Sequence, residues 1–332
     1  MKNAIIMAAG KGTRMHSNVP KVLHEVCGVP MVELIVNELK SAGAERIIAV
    51  TGFGHEAVEK ILEGKCEFAL QEPQLGTGHA VMQARQLENE DGITAVVNGD
   101  APCVSARTYT RLFEACEDAD MVILTVELPE TVPYGRIIRN EDGTVARIVE
   151  YKDASEAERA VREMNAGMYA FRNRALFEGL KEIKNDNAQK EYYITDLVEI
   201  FRRKGLKVTA LIAEDPAEVH GVNDNLELAE ANRTMYRRTA QAWMKRGITI
   251  IDPDSTYIGP YVTIGQDTVI EPNAHLSGRT VIGRNVRIRP DTSLEDTIVK
   301  DGAIIEKAVL KGYTVEENSY IPPFTYRKTG LM

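Results

Sequence analysis

Cysteine, tryptophan and long apolar runs are what this 332-residue chain has least of. Its four cysteines, Cys27, Cys66, Cys103 and Cys116, are scattered with no C-x-x-C pair; this leaves no readable zinc site or disulfide framework and predicts reduced, mostly buried thiols. No stretch approaches the roughly twenty apolar residues a membrane span needs. Met1-Lys2-Asn3 leads directly into Ala4-Ile5-Ile6-Met7 without a signal-peptide pattern, so the expected location is the cytoplasm. Cations are scarce too: 40 Lys and Arg against 49 Asp and Glu give a formal charge of -9, which argues against nucleic-acid or anionic-membrane partners. An anionic substrate would need local cations. The six histidines, at positions 16, 24, 55, 79, 220 and 275, lack metal-ligand spacing and read as surface or supporting groups. No Ser/His/Asp arrangement stands out.

What is present is globular material, 44% hydrophobic and 27% charged, with room for two domains that each bury a core. The N-terminal half alternates apolar strands with amphipathic helices, which predicts an α/β domain with a Rossmann-like, doubly wound, mostly parallel sheet. Expected strands are Ile5–Ala8, Arg46–Val50, Glu67–Leu70 and Ile93–Val97; expected helices begin at Pro30 and at Glu56. In such sheets ligands bind beyond the carboxyl ends of the strands. Residues 1–224 form this domain, and 225–247 read as a linking helix closed by Gly247. Beyond it, aliphatic residues recur at every sixth position: Ile258, Ile264, Ile270, Leu276, Ile282, Ile288 and Leu294. After a shift the period is read through Ile298, Ile304 and Leu310, then loosely Val315 and Ile321. Such a period fits a triangular solenoid in which each hexapeptide makes one face, so residues 248–332 are expected to form a short left-handed parallel β-helix that serves oligomerisation.

Three polar segments at strand ends could carry chemistry. Ala8-Ala9-Gly10-Lys11-Gly12-Thr13-Arg14, continuing to Pro20-Lys21, has small residues whose backbone can approach phosphates closely, with Arg14 and Lys21 adding charge. It is not a Walker loop, because no Gly-Lys-Ser/Thr occurs here. Gln71, followed by Leu75-Gly76-Thr77-Gly78-His79-Ala80, offers an amide and a peptide edge suited to the imide edge of a pyrimidine. Asn98-Gly99-Asp100 ends an apolar strand, and Asp100 can hold a divalent cation or cap the helix after Pro102. Asn223 could add a neutral oxygen ligand or cap the linking helix. Tyr134-Gly135-Arg136-Ile137, Val149-Glu150 and Met164-Asn165-Ala166-Gly167 complete the set, with Glu150 and Asn165 able to bind sugar hydroxyls or an acetamido group.

Taken in order, these segments resemble the family of bifunctional N-acetylglucosamine-1-phosphate uridyltransferases/glucosamine-1-phosphate acetyltransferases, the GlmU family. The likeness also includes Glu191-Tyr192-Tyr193-Ile194-Thr195-Asp196 and Gly221-Val222-Asn223, and it continues into the solenoid. The resemblance implies that Met7, Ala8, Ala9 and Gly10 bind nucleotide phosphates, that Arg14, Lys21 and Asp100 are catalytic, and that Gln71, Gly76 and Thr77 read uracil. It implies further that Asn98, Gly99, Gly135, Glu150 and Asn165 lie toward the sugar, and that Asp100 and Asn223 hold Mg²⁺. The segment from Glu191 is expected to be structural or to support the sugar pocket.

The implied reaction joins UTP and N-acetylglucosamine-1-phosphate into UDP-N-acetylglucosamine and pyrophosphate, in a homotrimer without nucleic-acid or membrane partners. Two departures bear on the sugar: Asn98 stands where the family commonly has an aromatic residue, and Ala166 where threonine commonly follows Asn165. The family's acetyltransferase site lies in later coils, so acetyl transfer is not expected of this chain. Three other readings compete: a nucleotidyltransferase for another base or sugar, a solenoid acyltransferase, and a non-catalytic nucleotide-sugar sensor.

Overall fold

Strand β1 (Lys2–Met7) sets the layering of the N-terminal unit, because Ala4 and Ile6 fall in one buried cluster and Ile5 in another. A strand with both faces apolar must be covered on both sides. The computed structural model describes residues 1–128, 134–141, 143–149, 151–187 and 189–329. By contacts the chain forms two units, residues 1–24 with 30–227, and residues 25–29 with 228–332.

The first unit is built on one nine-stranded sheet. After β1 come β2 (Arg46–Thr51), β3 (Glu67–Leu70), β4 (Ile93–Asn98), β5 (Met121–Glu127), β6 (Arg136–Arg139), β7 (Val145–Val149), β8 (Glu163–Arg172) and β9 (Val208–Ile212). Their order is β9-β5-β8-β4-β1-β2-β3, with β6 pairing β8 and β7. β1 is parallel to β2 and β4, whereas β8 runs antiparallel to both β4 and β5. Helices α1 (Met31–Ser41), α2 (His55–Leu62) and α4 (Ala106–Ala115) contribute to the cluster that holds Ile6; α3 (Thr77–Met82), α6 (Asn173–Leu180) and α7 (Leu197–Arg203) contribute to the one that holds Ile5. The short α5 (Glu156–Arg159) carries a reciprocal capping box between Ser155 and Glu158. Pro30 precedes the first helix rather than opening it, because it pairs in a two-residue strand with Glu25–Val26.

The helix expected after residue 224 is α8 (Asn225–Lys245), with Gly247 at φ 89° beyond its end. In the second unit, the Glu25–Val29 hairpin turns at Cys27-Gly28, where both residues have positive φ, and Cys27 N–H donates to Asn232 Oδ1 at 2.8 Å. The repeats form three parallel sheets of short strands stacked coil on coil, the left-handed parallel β-helix of hexapeptide transferases. Ile258, Ile270, Leu276, Ile288 and Leu294 are wholly buried. The frame expected beyond Leu294 holds at Leu310 and Val315, which are buried, and is corrected at two positions. Ile298 and Ile304 are exposed, and their neighbours Val299 and Ile305 point inward, paired with Ile282 and Ile288. The step from Leu294 to Val299 is five residues, and the two adjacent aliphatic pairs there made either frame plausible from sequence. A slip of one residue exchanges the two faces of a strand.

None of the four cysteines forms a disulfide; Cys27, Cys103 and Cys116 are buried. Burial pushes the Cys66 thiol up to about 11 and the Cys116 thiol up to about 12. Among the described residues, no helix is long and apolar enough to cross a membrane.

Candidate functional site

The carboxyl ends of β1 and β4 lie side by side, with Met7 paired to Asn98. The loop leaving β1 is pinned at its root. Ala8 N–H donates to Val50 O at 2.9 Å, while Ala9 O accepts from Phe53 N–H at 3.2 Å and from Gln74 Nε2 at 2.6 Å. Gly52 permits this approach, since a Cβ there would lie 2.7 Å from Ala9 O. Farther along, Gly10 is open on its side-chain face, and Gly12 at φ 63° packs against the Lys21 side chain.

Two cavities open on this edge. The first, of about 350 Å³, is lined by Met7, Ala8, Ala9 and Gly10, by Gln71, Gly76 and Thr77, and by Lys21, Asn98 and Asp100. The second, of about 260 Å³, is lined by Tyr134, Gly135, Asn165, Ala166, Gly167, Gly221 and Asn223, and again by Asn98 and Asp100. Lys21 belongs to the first and Asn223 to the second. The Lys21 ammonium joins them, donating to Asp100 Oδ2 and, at 3.1 Å, to Asn223 Oδ1.

The capping roles open to Asp100 and Asn223 go to their neighbours. Ser105 caps α4, accepting from Thr108 N–H. Asp224 Oδ1 accepts from Leu226 and Glu227 N–H at 2.9 Å each, at the start of α8. Both candidate ligands are therefore left to the cleft. Gly221 matters here, because its side-chain face is only 3.4 Å from Asp100 Oδ1. An ammonium already sits between one carboxylate and one amide oxygen, so the donor set suits a hard cation. A divalent ion of the magnesium kind uses one or two protein oxygens and takes the rest from phosphates and water. Among the described residues there is no cluster of three or more His, Cys, Asp or Glu that would hold a metal without substrate.

Around the first cavity Gln71 is almost wholly buried, and its Nε2 donates to Gly76 O at 2.9 Å. Gly76 adopts φ 101° and ψ 177°, and a Cβ there would strike Tyr192 O at 2.7 Å. The segment from Glu191 is stitched to this loop: Tyr192 N–H donates to Leu75 O, Gly78 N–H to Tyr192 O, and Ile194 N–H to Thr77 Oγ1. Glu191 itself lines the first cavity, not the second as expected for a support of the sugar pocket.

In the second cavity, Asn165 sits at the bulge of β8. Its Nδ2 donates to the Tyr169 hydroxyl at 2.8 Å and its Oδ1 accepts from Gly167 N–H at 3.0 Å. Gly135 O accepts from Asn165 N–H at 2.8 Å. Asn98 Nδ2 leans toward Ala166 O at 3.4 Å, so the two departures from the family pattern touch each other.

Three expected site residues stand apart. Gly99 lines neither cavity; its N–H donates to Met7 O, and a Cβ there would meet the same oxygen at 2.9 Å, so it serves the strand ends. Arg14 is exposed in a short helical turn, Thr13–Met15, and lines neither cavity. Its charge nevertheless reaches Tyr134, whose phenol is pushed up by burial and by Glu227 and Asp100 and pulled down by Arg14. Glu150 lies outside the described residues. Several lining residues had been given no site role, among them Gln74 and Gly221, with Val22, Ala80 and Val219. The proximity of Gln74 to Gln71 and of Gly221 to Asn223 in the chain was the available signal.

Two family models and several relatives match this chain. Residues 4–194 match the model of the MobA-like NTP transferase domain, and residues 261–295 match that of the bacterial transferase hexapeptide (six repeats). A protein named bifunctional protein GlmU from Halalkalibacterium halodurans is 44% identical over 332 residues, covering 99% of this chain and 73% of its own length. Its namesake from Brevibacillus brevis is 47% identical over 331 residues, covering 99% of this chain and 72% of its own length. That from Latilactobacillus sakei is 46% identical over 331 residues, with 97% and 72% covered.

Proposed function

We propose, for a chain that belongs to the GlmU family, that the two cavities hold the two substrates of one phosphoryl-transfer reaction. The protein is a sugar-1-phosphate nucleotidyltransferase, making UDP-N-acetylglucosamine and pyrophosphate from UTP and N-acetylglucosamine-1-phosphate. The observation that carries the assignment of the cavities is the Lys21–Asp100–Asn223 cluster on the boundary they share. UTP lies in the first cavity, its base against Gln71, Gly76 and Thr77 and its phosphates against Ala8, Ala9 and Gly10. The sugar lies in the second, against Gly135, Asn165 and Asn98, with Glu150 expected beside it.

The sugar-phosphate oxygen is already anionic, so it needs no general base. It attacks the α-phosphorus in line; the new O–P bond forms as the bond to the pyrophosphate oxygen breaks, and the pyrophosphate leaves with that electron pair. Asp100 and Asn223 would hold the divalent cation that the family uses, Mg²⁺ in this proposal, which when bound neutralises the facing phosphates. Lys21 and the amides of the pinned loop hold the triphosphate and stabilise the departing charge. Arg14 adds a cation at the rim; among the described residues it has no ion-pair partner.

The solenoid supports a homotrimer, in the cytoplasm where nucleoside triphosphates are found. One of its three sheets presents Thr263, Val281, Ile298 and Thr314 outward, an uncharged row of β-branched side chains. A pyrophosphate-release panel over four nucleoside triphosphates and several sugar 1-phosphates tests the functional reading. UTP with N-acetylglucosamine-1-phosphate should be the best pair, and a better rate with another base or sugar would overturn the substrate assignment.

A further inference from the structure

His79 lies behind the first cavity and takes no part in the mechanism above, yet its ring is gripped by two glutamines. Gln71 Nε2 is 3.2 Å from Nδ1, and Gln83 Nε2 is 3.2 Å from Nε2. The same Gln71 nitrogen donates to Gly76 O. A backbone carbonyl can only accept, so this contact fixes which end of the Gln71 amide is nitrogen. Its second N–H then needs an acceptor, and His79 Nδ1 is one only when the ring is neutral and carries its proton on Nε2. Burial, which holds the imidazole pKa below the usual histidine value, acts in the same direction.

The opposite arrangement has to be weighed, because Gln83 Nε2 also donates to a carbonyl, His79 O, at 3.0 Å. Two amide nitrogens cannot both face a neutral imidazole without one donor meeting another. One glutamine must turn, and the costs differ. Gln71 is 4% exposed, so turning it would strand a buried N–H and bring its oxygen against Gly76 O. Turning Gln83 gives up its bond to His79 O and sets its oxygen beside that carbonyl, but Gln83 is half-buried at the end of α3, so its oxygen can accept from Nε2–H while solvent takes up its nitrogen. The orientation of Gln71 is the one retained.

With its nitrogen held inward, Gln71 is left with Oε1 for a ligand. That oxygen has no hydrogen-bond partner among the described residues, and it is not among the sealed, unpartnered polar atoms of the interior. A carbonyl oxygen presented to a base accepts from an N–H. Uracil carries N–H at position 3; cytosine presents a lone pair there. We propose that His79 is a positioning residue which, through its Nδ1 lone pair and together with Gly76 O, holds the Gln71 amide with its oxygen toward the base, and thereby selects a pyrimidine bearing an N3–H over cytosine. The inference rests on the reading of the first cavity as the nucleotide site.

The test compares kcat/KM for UTP with that for CTP, with N-acetylglucosamine-1-phosphate as cosubstrate, in wild type, His79→Leu and His79→Asn. Leucine removes the acceptor; asparagine can place an amide oxygen near the position of Nδ1. The UTP-to-CTP ratio should fall about tenfold or more in His79→Leu, the value of one oriented hydrogen bond, and recover most of that in His79→Asn. KM for the sugar phosphate should stay unchanged in both, which a merely structural role would not predict. Nitrogen-15 NMR of the wild-type imidazole decides the matter without any substitution, and so covers a leucine variant that does not fold: a proton on Nε2 is expected. A proton on Nδ1, or an unchanged ratio in folded His79→Leu, overturns the proposal while leaving the uridyltransferase reading intact. A wild type that does not prefer UTP overturns that reading first, and this one with it.

Discussion

Replacing Asp100 by alanine separates what the carboxylate does for the fold from what it does for the reaction. Asp100 and Lys21 are only 20% and 15% exposed, so the pair is neither a surface bridge nor a sealed one. In direct contact, at an effective dielectric near 20, the attraction is about 4 kcal/mol. Desolvation of both groups offsets most of it, and exposed pairs net about 0–1 kcal/mol. Partial burial places the net stability loss at about 1–2 kcal/mol, a few degrees in Tm for a chain of this size. The chemical loss should be far larger. Without the carboxylate, one of the two oxygens meeting the Lys21 ammonium is gone, and with it the anionic ligand for a divalent cation. A deficit of about a thousandfold or more in pyrophosphate release is expected, little of it recovered by raising the cation concentration. Asp100→Asn should keep the fold at nearly wild-type Tm while losing about a hundredfold or more in rate. Combined with Lys21→Met, the losses should be sub-additive, because the two side chains act as a unit. Turnover of Asp100→Ala within tenfold of wild type, at saturating cation, would refute both the metal assignment and the shared-boundary reading.

Other consequences can be measured on the same scaffold. Gly76→Ala should lower stability by about 2–4 kcal/mol, combining a backbone conformation that only glycine tolerates with a Cβ 2.7 Å from Tyr192 O; an unchanged melting curve would contradict the described loop. The adjacent isoleucines of the solenoid should differ sharply. Ile305→Ala should cost about 2–5 kcal/mol and Ile304→Ala less than about 1 kcal/mol, and equal costs would reopen the frame beyond Leu294. Light scattering should give three chains per particle, and charging the neutral sheet face with Ile298→Lys should shift the mass toward the monomer; a monomeric wild type would remove the trimer.

Much of the fold was legible because its signals are repetitive. Strands β1, β2 and β4 are continuous apolar runs, which only a doubly covered sheet explains, and the hexapeptide period from Ile258 to Leu294 has no helical alternative. The signals failed where two local rules competed at adjacent residues. Asn223 was read as a ligand or as the cap of α8, and the structure gives the cap to its neighbour Asp224. Ile298-Val299 and Ile304-Ile305 offered two frames, and coil stacking chose the second. The Glu25–Val29 hairpin was missed because its strands are two residues long, too short to carry an alternation. Of the residues that line the two cavities, Lys21, Gln71, Asn98, Asp100, Asn165 and Asn223 were named from chemistry and order along the chain. The segment from Glu191 was read as structural or as a support for the sugar pocket; its bonds to the Leu75–Gly78 loop agree with the first, and sequence order says nothing about which of two neighbouring cavities a loop reaches.

An acidic chain that handles triphosphates must place its few useful cations carefully, and the first unit does so through backbone rather than through charge density. The loop after β1 is fixed at Ala8 and Ala9 by bonds to Val50, Phe53 and Gln74, while Gly10, one residue farther, is open. A loop held at its root and bare at its tip can offer peptide N–H groups without reorganising when a phosphate arrives. Lys21 is then positioned by the close packing of Gly12 against its stem, and its ammonium is parked on Asp100 and Asn223. Charge balance within the cleft follows from the same three side chains, and the proposed divalent-cation site would form there once phosphates compete for the lysine.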